Sequence, residues 1–332
     1  MGYMLLLKRG IRYWMKVPEY AQFFAALCCR SRELCGAMLC LAAIAHPAGQ
    51  RCVNMKTILL PFYDDDVSQH AFELSTRIVR PLNGYLEGLF VLRRPPIVDG
   101  DLLSEAHFAQ FDEECRRVAA RARTRFDVCA AAQGLAVDAA SVSGGAAAGW
   151  REFEGVEGQV VGSQGRLFDL IVVGRDFGRP WRDWRVMVES ALFESGRPVL
   201  LAPENPGTIF GEHVIIAWNS STETARTVAF AMPLLARARS VTVLSVEGWG
   251  VPGPASEELA VYLGRAGVPA SARTVDPGGR SAGVTILDEC SRNGADLLIK
   301  GAYTQSRLRQ LIFGGATRHI LTHAQIPVLL AH

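Results

Sequence analysis

A glycine-containing loop near the carboxyl terminus has the residue types and spacing to bind an anion. Gly301 precedes this loop, and Gly314 and Gly315 end it just before Ala316 and Thr317 open an amphipathic helical pattern. Glycines let the backbone approach a phosphate closely, and the free N–H groups at a helix N-terminus carry partial positive charge. The segment therefore predicts either a phosphate site or simply the loop and helix cap that the fold needs.

The elements that must position this loop follow a regular alternation from Met55 onward. Short apolar runs alternate with longer amphipathic stretches, which is typical of a parallel sheet covered by helices. In the first part of the chain we predict strands at 57–61, 84–91, 137–142, 170–174 and 199–202. The helices predicted between and after them span 67–80, 102–133, 156–168 and 186–195.

The same order of elements is repeated in the second part of the chain. We predict strands at 214–218, 240–246, 270–275, 297–301 and 327–331, with helices at 222–237, 254–266, 281–293 and 316–322. The repeat is clearest where residues 169–174 match 296–301 and where 197–202 match 326–331. Two copies of one domain, a first copy at 55–203 and a second copy at 204–332, explain this self-similarity.

Each copy is predicted to be a doubly wound α/β domain with a mainly parallel five-stranded sheet. Its strand sequences are apolar without alternation, as expected for strands buried on both faces. The two sheets are expected to pair edge to edge through strands 199–202 and 327–331, which closes two exposed edges. Ligands of such sheets bind outside the carboxyl ends of the strands, where strand order reverses. This directs attention to the turns after Trp218, Val246 and Gly301.

At the glycine loop the chain resembles the universal stress protein family. Members that bind ATP have a glycine, two residues, a second glycine, nine residues, and a glycine followed by serine or threonine. Gly301 and Gly314 match the first and third glycines, whereas Thr304 replaces the second and Gly315 replaces the hydroxyl residue. The resemblance covers residues 55–332 and implies a Rossmann-like fold of the adenine nucleotide alpha hydrolase-like kind.

The resemblance also assigns roles to other residues of the second copy. It implies that ATP, with magnesium, is bound by the loop and by the turn after the first strand. The family has an aspartate, a glycine and a serine in that turn, where this chain has Ala217, Trp218, Asn219, Ser220 and Ser221. Val246 would be the backbone contact for adenine, and it is equally a core valine.

The first copy departs further from the family pattern. Its turn after the first strand is acidic at 64–66, and Met187 and Val188 stand where the later glycine pair would fall. Three adjacent carboxylates would repel a triphosphate, and no phosphate-binding loop can form without the glycines. We therefore interpret the first copy as a pairing domain.

Residues 1–54 differ in pattern from the rest of the chain. Basic residues lead into an apolar run at 34–45, which is shorter than the ~20 residues that cross a bilayer. We expect an extension with no fold of its own. Such an extension would arise if the start of the sequence had been assigned upstream of a true start at Met55. An export signal ending near the small residues 43–45, or a membrane-surface segment, is the alternative.

Composition limits the partners and the compartment. The net charge of +2 gives no reason to expect nucleic acid or an anionic membrane as a partner. Eight cysteines without a zinc-type spacing favour buried free thiols in a reducing compartment, hence the cytoplasm. The chain also lacks a lysine-bearing phosphate loop, a Gly-x-Ser-x-Gly elbow and a metalloprotease helix, which disfavours an enzyme with a known motif.

Three other patterns are weaker candidates for chemistry. Residues 248–253 spell a dinucleotide fingerprint, but they follow the second strand of the copy and contain Pro252. His319 and His323 are spaced to share a metal but have no evident third ligand. A basic and aromatic cluster around Trp181 and Trp184 could stack on a nucleobase or cover the contact between the copies.

The family resemblance implies a regulatory or protective role under stress, with slow or absent hydrolysis and a homodimer among the expected assemblies. One alternative is a nucleotide-free interaction platform in which both sites have decayed. The other is a slow ATP hydrolase or phosphotransferase that depends on Asp276 or Asp288. Asn219 cannot serve as its base, because an amide does not take up a proton.

Overall fold

The computed structural model describes residues 3–8, 11–16, 55–93, 105–137, 145–176, 184–302 and 315–332. The chain divides into two compact units, Met1–Cys52 and Val53–His332. In the first unit, strands β1 (Tyr3–Lys8) and β2 (Ile11–Lys16) form an antiparallel hairpin. The apolar run at 34–45 lies outside the described residues.

The first copy alternates strands and helices as the apolar pattern predicts, with one strand more than expected. Its elements are β3 (Thr57–Pro61), α1 (Asp66–Val79), β4 (Tyr85–Leu92), α2 (Glu105–Ala132), β5 (Ala136–Val137), β6 (Ala147–Glu154), α3 (Glu157–Gln164), β7 (Leu170–Gly174), α4 (Trp184–Glu194) and β8 (Val199–Ala202).

The second copy follows the predicted order without an added element. Its elements are β9 (His213–Ala217), α5 (Thr222–Leu235), β10 (Ser240–Val246), α6 (Ser256–Arg265), β11 (Ala270–Val275), α7 (Ala282–Arg292), β12 (Leu297–Gly301), α8 (Gly315–His323) and β13 (Val328–Ala331).

The predicted edge-to-edge pairing of the two sheets through their last strands is confirmed, and the strands of both copies form one sheet of eleven. The first copy contributes six strands to it instead of the predicted five. The strand order of this sheet is β11-β10-β9-β12-β13-β8-β7-β3-β4-β6-β5. The last strands of the two copies pair antiparallel, with Leu200 opposite Leu329, while the pairs within each copy are parallel. Neither last strand is left with an unpaired edge, which accounts for the merger.

The unpredicted strand is β6, which pairs parallel with β4 along its whole length. Only its first three residues are buried, and the outer part is largely exposed near the edge of the sheet. It therefore has neither the continuous apolar run of a buried strand nor a regular alternation. Of the strand predicted at 137–142, Val137 is in β5, and residues 138–142 lie outside the described residues.

Both faces of the sheet are covered by helices, and each apolar layer runs through both copies. One layer packs α1, α2, α5 and α6 onto the sheet, with Phe72, Phe126 and Leu235 fully buried. The other packs α3, α4, α7 and α8, with Val188 and Ile320 fully buried. Shared layers explain why residues 53–332 form one compact unit.

Among the described residues, no helix combines the length and the apolar character that a bilayer-spanning helix requires. The described cysteines are free thiols, and two of them, Cys129 and Cys290, are buried. Burial raises the pKa of the Cys290 thiol to about 12, so that this thiol is protonated near neutral pH.

Candidate functional site

The candidate site lies at the carboxyl edge of the sheet in the second copy. Strand order there is β11-β10-β9-β12-β13, so the connections diverge between β9 and β12. The helix after β9 packs on one face of the sheet, and α8, after β12, packs on the other. The carboxyl ends of these two strands consequently border a crevice, the usual ligand position in open α/β sheets.

The turn after β9 is held together by its own side chains. Oδ1 of Asn219 accepts a hydrogen bond from the Thr224 hydroxyl at 2.6 Å and from the Ser221 N–H at 3.3 Å. Oγ of Ser221 caps α5 by accepting from the Thr224 N–H at 3.2 Å. Ser220 has a left-handed φ of 61° between them. The side-chain carbonyl of Asn219 therefore positions this turn.

The loop after β10 folds back onto this turn and forms its outer wall. The indole N–H of Trp218 and the hydroxyl of Ser220 both donate to the Pro254 carbonyl, at 2.8 and 2.7 Å. The N–H of Val251 donates to the Asn219 carbonyl at 3.0 Å. Residues 248–253, which spell the dinucleotide fingerprint, thus form a wall of the site. The N–H of Val251 donates within the protein and is not directed at a ligand.

Val246 ends β10 and is buried, with 4% of its surface exposed. It packs in the apolar layer that contains α7 and α8. Its carbonyl accepts the N–H of Trp249 at 3.2 Å, which turns the chain into the wall loop. The structure therefore places Val246 at the edge of the site, with a packing role.

Gly301 is needed because the end of β12 lies directly against the start of α5. A Cβ at this position would be 2.5 Å from the backbone nitrogen of Thr224 and 2.6 Å from its hydroxyl oxygen. Such distances are far below a normal van der Waals contact. The absence of a side chain at Gly301 therefore lets the backbone of β12 approach the turn after β9.

Helix α8 begins at the same edge of the sheet with Gly315, Ala316 and Thr317. Gly315 is exposed, and a Cβ added there would meet no described atom within 4 Å. Thr317 is buried. The helix sits close to α7, because a Cβ at Gly283 would be 2.9 Å from the Ala316 carbonyl oxygen. Thr304 and Gly314 lie outside the described residues.

A residue that the sequence reasoning missed, Lys300, forms the floor of the site. Only 2% of its surface is exposed. Its ammonium donates to the Gly301 carbonyl and to the Thr317 hydroxyl, both at 2.7 Å, and lies 5.6 Å from the ring centre of Trp249. Burial lowers the pKa of Lys300 to about 8. The available signal was a lysine inside an apolar strand, aligned with Val173 of the first copy.

The corresponding edge of the first copy is filled by protein side chains. Asp65 caps α1 by accepting from the Ser68 N–H at 2.7 Å, so a carboxylate of the chain itself occupies this helix N-terminus. Between β3, β7 and α4 a cavity of about 20 Å³ remains, lined in part by Trp184 and Met187. That volume holds about one water molecule.

The other candidates from the sequence find different surroundings. The rings of His319 and His323 stack at 4.2 Å, and no cluster of three potential metal ligands occurs among the described residues. Asp276 accepts the Gly278 N–H at 2.8 Å, and Asp288 pairs with Arg280. Trp181 lies outside the described residues, whereas Trp184 is buried.

Comparisons with known proteins agree with this architecture. The model of the universal stress protein family matches residues 212–332. A universal stress protein from Archaeoglobus fulgidus DSM 4304 has a similar structure, with a TM-score of 0.62 and 13% identity over 83% of this chain and 98% of that one. A functionally unknown protein from Pseudomonas aeruginosa PAO1 has a TM-score of 0.50 and 13% identity, over 84% of this chain and 93% of that one. No curated protein sequence matches the chain. At such identities the solved structures show the fold alone.

Proposed function

Residues 212–332 belong to the universal stress protein family, and from this premise we propose that the second copy binds an adenine nucleotide. The ligand is ATP with magnesium, seated outside the carboxyl ends of β9 and β12. The protein then acts as a regulatory or protective component of a stress response in the cytoplasm, and its first copy serves as a pairing domain.

The observation that carries the proposal is a buried ammonium beside a helix N-terminus at the switch point. The ammonium of Lys300 hydrogen-bonds Thr317 in the first turn of α8, so a full positive charge lies next to the partial positive charge of the helix N-terminus. Gly301 brings the turn after β9 against the same point. A polyanion such as a nucleotide triphosphate is the ligand that best suits this arrangement.

The filled edge of the first copy supports one nucleotide per chain. A cavity of about 20 Å³ has no room for a nucleotide, and the carboxylate of Asp65 already caps the helix there. Phosphate beside this cavity would meet the negative charge of Asp65, whereas the residue that caps the corresponding helix of the second copy, Ser221, is uncharged. We therefore assign the nucleotide to the second copy only.

An ATP hydrolase remains the weaker proposal. It would need a carboxylate free to bind magnesium or to activate water. Asp276 is exposed and Asp288 is half-buried, but the first closes a turn and the second pairs with Arg280. The interaction platform is favoured over the hydrolase by the closed first copy, and it is the expected outcome if ATP does not bind.

The proposal is tested by isothermal titration of the full chain with magnesium-ATP, using a matched pair of variants at Gly315. Gly315→Asp places a carboxylate at the first turn of α8, where it favours the helix but repels phosphate. Gly315→Asn has nearly the same shape without the charge. The open surroundings of Gly315 accept either side chain.

We expect the Asn variant to bind ATP with an affinity close to that of the wild type, and the Asp variant to bind at least tenfold more weakly. Like charges a few ångströms apart near a protein surface repel by several kcal/mol, and about 1.4 kcal/mol already gives a factor of ten. Equal affinity of both variants for ATP would show that the nucleotide does not bind at the N-terminus of α8. No binding by folded wild-type protein would favour the interaction platform.

A further inference from the structure

Lys300 occupies a position at which the sheet is otherwise apolar. Its neighbours in β12, Leu298 and Ile299, are fully buried on opposite faces. The side chain of Lys300 lies on the face covered by α7 and α8, and it reaches Thr317 beneath the N-terminus of α8. A lysine is almost never fully buried unless an opposite charge pairs with it.

The hydrogen-bond partners of this ammonium are all uncharged. A lysine ammonium has three N–H donors. Two are accepted by neutral oxygens, the Gly301 carbonyl and the Thr317 hydroxyl, and the nearby Trp249 ring contributes only its π-face. Among the described residues one donor therefore has no acceptor, and the charge is not neutralised.

The charged groups on the surrounding elements do not supply the missing anion. These groups include Glu223 on α5, Glu247 after β10, Asp288 on α7, Arg318 and His319 on α8, and His332 after β13. Within the described part of the chain, none of these groups forms an ion pair with Lys300. Burial alone accounts for the lowered pKa of its ammonium. A buried charge without a partner is costly, so the site has a strong demand for an anion.

We propose that Lys300 is the phosphate-binding cation of the candidate site, and that binding of a phosphorylated ligand is linked to proton uptake by its amine. This inference rests on the proposed nucleotide-binding function and adds the group that selects a nucleotide over a nucleoside. The third N–H of the ammonium donates to a phosphate oxygen, while the Gly301 carbonyl and the Thr317 hydroxyl hold the other two.

The linkage has a defined direction. In the empty protein the pKa of Lys300 is about 8 because the ammonium is buried, so the amine is mostly neutral at pH 9. A bound phosphate favours the charged form and raises this pKa. The affinity for ATP should therefore be highest below pH 8 and fall about tenfold between pH 7 and pH 9, since each pH unit above the pKa lowers the charged fraction about tenfold.

The test is isothermal titration of the full chain with magnesium-ATP at pH 9, in two buffers with different ionisation enthalpies. The difference between the two heats gives the number of protons taken up per ATP bound. We expect close to one proton for the wild type and none for Lys300→Met, which keeps the length of the side chain without its charge. Lys300→Met should also bind at least tenfold more weakly at pH 7.

Thr317→Val is the matched control, because it removes a neutral hydrogen-bond partner and leaves the ammonium. It should keep the proton uptake. Adenosine, which has no phosphate, should bind the wild type and Lys300→Met equally. If Lys300→Met does not fold, the number of protons that the wild type takes up per ATP bound tests the proposal by itself.

The outcomes separate the two proposals. ATP binding without proton uptake, and with equal affinity in Lys300→Met, would overturn the role of Lys300 and leave the nucleotide-binding function standing. Absence of ATP binding by the folded wild type at either pH would overturn both. Proton uptake that Lys300→Met retains would assign the linkage to another group and contradict the inference.

Discussion

Replacing Lys300 by methionine should make the empty protein more stable at neutral pH. Burial lowers the pKa of this lysine from its ordinary 10.5 to about 8. A change of that size corresponds to about 3 kcal/mol of destabilisation while the folded protein holds the charged form, since one pKa unit is worth about 1.4 kcal/mol. Loss of its two hydrogen bonds offsets this by about 1 kcal/mol each. The net expectation at pH 7 is a gain of about 1 kcal/mol.

The pH dependence of this gain has a definite sign. The folded state holds a proton on Lys300 up to a pKa of about 8, and the unfolded state holds it up to the ordinary value. Between these limits the unfolded state binds more protons, so the stability of the wild type rises with pH. From pH 7 to pH 10 the stability of Lys300→Met relative to the wild type should fall by about 2–3 kcal/mol, which makes the wild type the more stable protein at pH 10.

Urea unfolding of the full chain without nucleotide, followed by circular dichroism at pH 7, 8, 9 and 10, measures this difference. All other groups titrate in both proteins, so the difference between the two curves isolates Lys300. Thr317→Val, which retains the ammonium, should follow the pH dependence of the wild type. A difference between Lys300→Met and the wild type that stays constant with pH would refute the reasoning that the folded protein holds a buried ammonium.

Two further predictions concern residues at the ends of β9 and β12. Gly301→Ala should destabilise the protein by about 1–3 kcal/mol, because its Cβ would be 2.5 Å from the nitrogen of Thr224; thermal unfolding measures this, with Gly315→Ala as the control that should cause no loss. Asn219→Ala should cost about 1–2 kcal/mol, because Ser221 and Thr224 lose a shared acceptor. Asn219→Asp keeps an acceptor and should be less destabilised in the same assay, and equal losses in both variants would contradict this account.

The parts of the fold that the sequence predicted are those whose residues carry a strong pattern. Strands β9 and β12 are buried on both faces, and the apolar runs at 214–217 and 297–299 identify them. The position of the turn at Asn219 followed from the rule for strand order in doubly wound sheets. The strand β6 was missed because its outer half is exposed, and its glycine and alanine residues have little strand propensity.

The remaining features depend on contacts between residues that are distant in sequence. Nothing near Lys300 in the sequence indicates that its ammonium reaches Thr317, because the two meet only when α8 packs on the sheet. The pairing of β8 with β13, by contrast, was predicted from the need to cover two exposed sheet edges, and the structure confirms it. The role of Thr304 stays a prediction, since it lies outside the described residues.

The antiparallel pairing of β8 with β13 also determines how the protein responds to dilution. Because both strands belong to one polypeptide, their association is unimolecular and does not weaken as the protein concentration falls. A homodimer would therefore have to use another surface, because these two edges are already occupied. The two copies have also been free to diverge, since the chain delivers them in a fixed one-to-one ratio. Under the proposed function, every molecule keeps one nucleotide site in the second copy even though the first copy has none.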